Sequence, residues 1–138
     1  MKNSNDYIII VGCGRLGSSL ANNLSISNKS VVVIDWKEKA FNNLSEEFSG
    51  FTMEANVIEK ETLMNAKADQ ADVLVAVTND DNTNIMVAEI AKSIYEIPNV
   101  IARLYDPARK RTYEELDIKT ISSYDLVSKA FTDLILSK

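Results

Sequence analysis

A short apolar run that breaks straight into glycines leaves a chain few folds to choose from. Here the run is Tyr7-Ile8-Ile9-Ile10-Val11, and Gly12-Cys13-Gly14-Arg15-Leu16-Gly17 follows at once. Five apolar residues read as a strand. After the turn a helix is expected over 15–27, with Leu16, Leu20 and Leu24 on one face. The glycines fit G-x-G-x-x-G: Gly12 permits the tight turn, Gly14 lets backbone amides approach a pyrophosphate, and Gly17 lets helix and strand pack closely. Free N–H groups and the positive end of the helix dipole then offer phosphate a seat. The motif alone is weak evidence, but here it has a strand before it, a helix after it and an acid at the expected distance. Asp35 closes the next apolar run, Val31-Val32-Val33-Ile34, and lies 23 positions past Gly12. The ribose-binding acid of such a fold is expected about 20 residues on.

Further apolar runs alternate with helical patterns. Strands are expected at Tyr7–Val11, Ser30–Asp35, 51–55, 72–77, 99–103 and Lys119–Ser122, and helices at 15–27, 37–49, 59–67, 82–95, 107–116 and 124–137. Most strands are continuous runs, as in a parallel sheet covered on both faces. Asp106-Pro107 marks a helix start, an acidic cap followed by proline. The alternation predicts a Rossmann-like, doubly wound α/β sheet of about six strands in three layers, with ligands at the carboxyl ends of the strands. Two helices carry more apolar surface than one sheet needs. The helix over 82–95 has a wide arc of Ile85, Met86, Val87, Ala88, Ile90, Ala91 and Ile94, which either packs on its own sheet or meets a partner. The last has Leu126, Val127, Ala130, Phe131, Leu134 and Ile135 at i, i+4 spacing, and 124–137 is expected at a dimer interface.

The 138 residues, 46% of them hydrophobic, suffice for one core, and no linker, repeat or low-complexity tract divides them. One domain over 1–138 is expected. Net charge is −5, and the basic cluster of Arg103, Arg109, Lys110 and Arg111 is interrupted by Asp106. Nucleic acid is therefore not an expected partner, and Arg109 to Arg111 read as a solvated helix face. The chain has no histidine, which excludes Ser-His-Asp and Cys-His devices and the usual mixed zinc sites. Its single cysteine cannot form an internal disulfide, which fits a reducing compartment. No apolar stretch approaches the roughly 18 residues of a membrane span. The start, Met1 to Asp6, is polar and lacks a signal-peptide core. A cytoplasmic protein is expected.

Each strand end on the ligand edge supplies candidates. Cys13 reads as a small side chain in a crowded turn, and Arg15 stands where a charge-assisted bond to phosphate forms, from this subunit or a neighbour. Asp35 is expected to accept both ribose hydroxyls and to repel a 2′-phosphate, although Lys37 offers such a phosphate a cation. Trp36 either packs on the adenosine or covers the edge of the core. Ala55, Asn56 and Val57 are placed to line adenine, and Asn56 can donate to or accept from a base edge. Thr78, Asn79 and Asp80 follow the fourth strand, where Asn79 and Asp81 suit helix capping. Arg103, ending the fifth, calls for phosphate or a carboxylate.

Together these motifs resemble the RCK (KTN) N-terminal domain. The residues that carry the resemblance are Gly-Cys-Gly-Arg-Leu-Gly, Val-Val-Val-Ile-Asp35, Thr78-Asn79-Asp80-Asp81 with Asn84, Ile101-Ala102-Arg103, and Asp106-Pro107. Such domains are cytoplasmic nucleotide-binding parts of potassium channels and of Trk/Ktr-type potassium uptake systems. The resemblance implies a Rossmann fold binding NAD(H) or ATP/ADP/AMP at the glycine turn, with Arg15 on phosphate and Asp35 on ribose. It also implies dimers or rings of subunits, at the inner face of the membrane, whose shape follows the bound nucleotide. The sequence departs from the pattern at three places. The family's Gly-Asp-Ala reads Ala55-Asn56-Val57, its Leu-Gly reads Leu116-Asp117, and a usual proline is Ser123. The family's second, C-terminal domain has no counterpart in these 138 residues, so a one-domain member or a piece of a longer chain is expected.

Three functions fit the sequence. The first is a regulatory adenine-nucleotide-binding subunit of a potassium transport system, without turnover. The second is a small NAD-dependent oxidoreductase, with a methyltransferase as a weaker variant. Against it stand the missing histidine, the missing substrate domain and the lack of a lysine four residues after any tyrosine. The third is an interaction module whose site has decayed.

Overall fold

The structure is a computed structural model that describes residues 6–137. Met1 to Asn5, most of the polar start noted above, and Lys138 lie outside them. Six strands, β1 (Tyr7–Val11), β2 (Ser30–Asp35), β3 (Phe51–Glu54), β4 (Val73–Ala76), β5 (Asn99–Leu104) and β6 (Lys119–Ser122), form one parallel sheet in the order β3-β2-β1-β4-β5-β6. Among the described residues five α-helices accompany them: α1 (Arg15–Ile26), α2 (Lys60–Asn65), α3 (Asp81–Ser93), α4 (Lys110–Glu115) and α5 (Ser123–Leu136). This is the expected doubly wound arrangement. Strand order reverses between β1 and β4, whose ends pair Val11 with Ala76. A crevice opens there, beyond the carboxyl ends of the strands.

The continuous apolar runs follow from burial on both sides. Along β1, Ile9 and Val11 join Val32, Ile34, Leu74 and Ala76 beneath α2, α3 and α4, while Ile8 and Ile10 join Val31, Val33 and Val73 beneath α1. A pleated strand sends alternate side chains to opposite faces, so a strand covered twice cannot alternate with polar residues. The outer strands are different. β3 is largely exposed, and β5 alternates, with Val100, Ala102 and Leu104 buried and Ile101 and Arg103 half-buried. Arg103 pairs with Ile121, which is 53% exposed on the same face.

Several expectations change. The helix expected over 37–49 is only a 3-10 helix, Glu38–Asn43, after which the chain runs irregularly to Gly50. Side chains compete for the backbone here. Asn43 Nδ2 donates to the Cys13 carbonyl at 3.1 Å, and Asn22 Oδ1 accepts from the Ser45 N–H at 3.1 Å. In α1 the buried row is Gly17, Ala21 and Ser25, not the leucines. Leu20 and Leu24 flank the core, and Leu16 is turned out towards the crevice. Small residues along the contact bring helix and sheet close together. The helix expected over 107–116 splits into a 3-10 turn, Pro107–Arg109, and α4, with Asp106 as its predicted cap. The α3 cap is Asp80, whose carboxylate accepts from the Thr83 N–H, rather than Asn79 or Asp81. Most of the wide α3 arc packs on its own sheet: Val87, Ala88 and Ala91 are buried, and Ile85, Met86 and Ile90 press against them, leaving Ile94 exposed. No residue of α5 is buried. Among the described residues no helix is long and apolar enough to cross a membrane.

Candidate functional site

The three motif glycines meet different surroundings. Gly12 lies at φ +106°, a conformation that side chains disfavour, and a Cβ there would come within 3.0 Å of the Val77 and Thr78 backbone. At Gly17 a Cβ would stand 1.8 Å from the Gly12 carbonyl oxygen. At Gly14 a Cβ would meet nothing within 4 Å. That glycine faces open space, and it is also the N-cap of α1, with no side chain to satisfy the amides above it. The first amides of a helix have no acceptor within it, so those of Arg15, Leu16 and Gly17 are left over. The amide of Ser18 is the first to turn back, bonding the Gly14 carbonyl at 2.9 Å.

Asp35 stands across the turn at the end of β2. Its Oδ2 accepts from the Cys13 N–H at 2.8 Å and its Oδ1 from the Lys37 N–H at 2.9 Å. The carboxylate is thus aimed by two backbone donors, and each oxygen keeps further acceptor capacity. The same contact holds the glycine turn in shape, since the amide between Gly12 and Gly14 points at Asp35.

The far wall is built on Asn84, a fully buried polar side chain of α3. Its Oδ1 accepts from the Thr78 N–H and hydroxyl, at 3.0 and 2.6 Å, while its Nδ2 donates to the Thr78 and Arg103 carbonyls at 3.1 and 3.2 Å. One amide therefore ties the end of β4 to the end of β5. Next to it, the Asp81 carboxylate accepts the N–H groups of Tyr105 and Asp106 at 2.8 and 2.9 Å. Arg103 lies with its guanidinium carbon 4.3 Å from the Tyr105 ring centre, and its Nε donates to Ser123 Oγ at 3.4 Å.

Together these elements enclose a cleft of about 780 Å³, within the usual size of small-molecule sites. Gly12, Gly14, Arg15, Leu16, Asp35, Trp36, Lys37, Asn56, Val57, Thr78, Asn79, Asp80 and Arg103 all line it. Two of the residues named from the sequence do not. Gly17 is buried at the helix–strand contact, and the Cys13 side chain points into the core beside Ile8, Ile10 and Ala21. Burial, reinforced by the nearby Asp35 charge, pushes the Cys13 thiol up to about 11, so it stays protonated and inert. Trp36 does not cover the core edge: it is 69% exposed, with the Lys37 ammonium 4.8 Å from its ring centre. Asp80 is held ionised by its bond from the Thr83 hydroxyl. Ala40, Ile58, Thr83 and Tyr105 also line the cleft and were not named from the sequence. Thr83 had a signal, three positions after its capping acid. Tyr105 had one in standing just past a strand end.

A family model, the TrkA-N domain, matches residues 8–124. The chain belongs to the TrkA-N domain family. Its match to the Trk system potassium uptake protein TrkA of Streptomyces coelicolor is 37% identical over 117 residues, covering 85% of this chain and 52% of that protein. Its match to the TrkA homolog of Pyrococcus abyssi is 32% identical over 118 residues, covering 86% and 51%. This TrkA-N chain therefore spans about half the length of those relatives. Among solved structures it is similar to the TrkA-N domain of the inner membrane protein ybaL of Escherichia coli, with a TM-score of 0.84, 19% identity, and coverage of 99% of this chain and 100% of that one. It is also similar to the GsuK channel bound to NAD, with a TM-score of 0.81, 20% identity, and coverage of 97% and 24%. The AMP-bound Kef C-terminal domain of Shewanella denitrificans gives a TM-score of 0.76, 21% identity, and coverage of 96% and 83%. At such identities these likenesses establish the TrkA-N fold alone.

Proposed function

We propose that the cleft binds an adenine nucleotide, NAD(H) or ATP, ADP or AMP, and that the chain is a regulatory part of a potassium transport system. The observation that carries this is the open helix start at Gly14, facing the same cleft as a carboxylate aimed by two backbone amides. The leftover amides of α1 and the Arg15 guanidinium suit phosphates. Asp35 suits the two hydroxyls of a ribose. Asn56 and Val57 close the end of the cleft where the base would lie. The potassium-uptake relatives support the transport setting, and the NAD-bound and AMP-bound neighbours support the ligand class. In this reading the protein works in the cytoplasm at the inner face of the membrane, beside a membrane-embedded transport subunit, as a homodimer or larger ring. It turns nothing over. The chain has no histidine to shuttle protons, and the Asp35 carboxylate serves in this reading as an aimed acceptor for ribose.

The signal travels as differential affinity: a nucleotide preferring one subunit arrangement shifts the population towards it. Arg103 is placed to pass it on. It lines the cleft and bonds Ser123, the first residue of α5. A phosphate that draws Arg103 inward withdraws that bond from the start of α5.

The test is thermal unfolding with NAD, NADH, ATP, ADP and AMP, read alongside the fluorescence of Trp36, the single tryptophan. At 100 times the dissociation constant a ligand raises stability by about 2.7 kcal/mol. At least one nucleotide is expected to raise the melting temperature by several degrees and to change the Trp36 emission. No response to any of the five removes the proposal.

A further inference from the structure

Resting on the nucleotide reading of the cleft, we propose that Asn56 sets the base preference and opens the site to 6-oxopurine nucleotides, those of hypoxanthine and guanine, at least as readily as to adenine. Asn56 lies just past β3, where the cleft runs on from Asp35 along the sheet edge. A nucleotide with its phosphates at α1 and its ribose on Asp35 extends its base in that direction, between Val57, Ile58 and Ala40. Asn56 is held firmly there. Its carbonyl accepts from the Glu59 N–H at 3.0 Å and from the Thr62 hydroxyl. Its side-chain Oδ1 accepts from the Ile58 N–H at 3.0 Å.

That last bond decides which end of the amide is oxygen, because a backbone N–H can only donate. The NH2 group is then the end left over, and among the described residues it meets no acceptor of the chain. The group offered to a base is a donor. Adenine carries a donor at position 6 and hypoxanthine an acceptor. The Asn56 NH2 therefore satisfies the 6-oxygen of inosine and guanosine nucleotides. Opposite the 6-amino group of adenine it faces another donor and must turn to a ring nitrogen. Sites that hydrogen-bond a substrate group discriminate most strongly when a buried partner is left unpaired. Asn56 is exposed, so the expected effect is modest.

Asn56→Asp isolates the point. It keeps an oxygen for the Ile58 N–H and puts an acceptor where the NH2 was, with no change of size. Its extra negative charge weakens both ligands alike and cancels in their ratio. Titrate ADP and IDP, which differ only in the base, into parent and variant by calorimetry. In the parent IDP is expected to bind as tightly as ADP or tighter, and in the variant the ratio should swing towards ADP by about tenfold. A parent that binds ADP more tightly than IDP by about twofold or more overturns the base assignment and leaves the adenine-nucleotide reading standing. A ratio unmoved by Asn56→Asp overturns it as well. If neither ligand binds, the nucleotide reading falls and this inference falls with it.

Discussion

Gly14 and Gly17 sit three residues apart in one motif and answer to different constraints. A methyl group at Gly17 runs into the backbone of Gly12, which has no side chain to swing aside. Gly17→Ala should therefore destabilise the fold by about 1–3 kcal/mol, the usual cost of overpacking, with or without ligand. A methyl group at Gly14 meets only the cleft, and φ −78° is open to any residue. Gly14→Ala should melt within a few degrees of the parent yet lose most of its stabilisation by nucleotide, because the methyl occupies the approach to the α1 amides. Thermal unfolding of both variants with and without ADP separates the two roles. A Gly14→Ala protein that keeps its full nucleotide shift would place the phosphates elsewhere. Cys13, between them, sets a pH limit. Folding raises its thiol from 9.0 to about 11 by burial first and the Asp35 charge second. The folded state thus favours the protonated thiol. That contribution is whole below pH 9 and is lost as pH climbs towards 11. Buried Tyr113, pushed up to about 12, extends the decline. Melting temperature should fall across this window, and Cys13→Ala should flatten the portion between pH 9 and 11. An unchanged slope would mean that the thiol does not titrate with unfolding.

At the scale of elements, the sequence was most legible where burial is two-sided. β1 and β2 are read straight from their continuous apolar runs, and the glycine turn and Asp35 fall where the spacing puts them. The cleft could be read because every doubly wound sheet gathers its strand ends on one edge. Legibility failed where side chains bond the backbone. Nothing in the apolar pattern of 37–49 foretells that Asn43 and Asn22 will take backbone partners and shorten the expected helix to Glu38–Asn43. Asn84 shows the same limit. Its place in the motif was visible, but its task of joining Thr78 to Arg103 depends on two strands distant in sequence meeting side by side. Leu16 misled for a geometric reason. The leucine row lies one residue, about 100°, around the helix from the row that meets the sheet, and apolar spacing alone does not tell the two rows apart. The contact was claimed instead by Gly17, Ala21 and Ser25.

For the molecule as a whole, α5 is the element that one chain does not explain. It has 14 residues, none buried, and a helix of that length is marginal in water without packing. Tyr124, Val127, Phe131 and Leu134 recur at spacings of three and four along one seam, each more than half exposed. Beside the start of the helix, Ile121 leaves the outer face of β5 and β6 uncovered as well. Burying a large apolar side chain contributes about 1.5–3 kcal/mol, so pairing four such residues with their copies on a second chain outweighs the cost of ordering the helix. Lys129 and Asp133 pair at 2.8 Å on the opposite side of the helix, which pairing through the seam leaves in water. A dimer joined through α5 is therefore the expected state in solution. Phe131→Glu combined with Leu134→Glu should yield a monomer by sedimentation equilibrium, with a far-ultraviolet circular dichroism signal reduced by about one helix. The sheet and cleft are untouched by those changes, so ADP should still bind to the monomer while its effect on subunit arrangement is gone. A parent protein that sediments as a monomer with its helix content intact would show that α5 stands without a partner, and the proposed coupling between subunits would have to run through another surface.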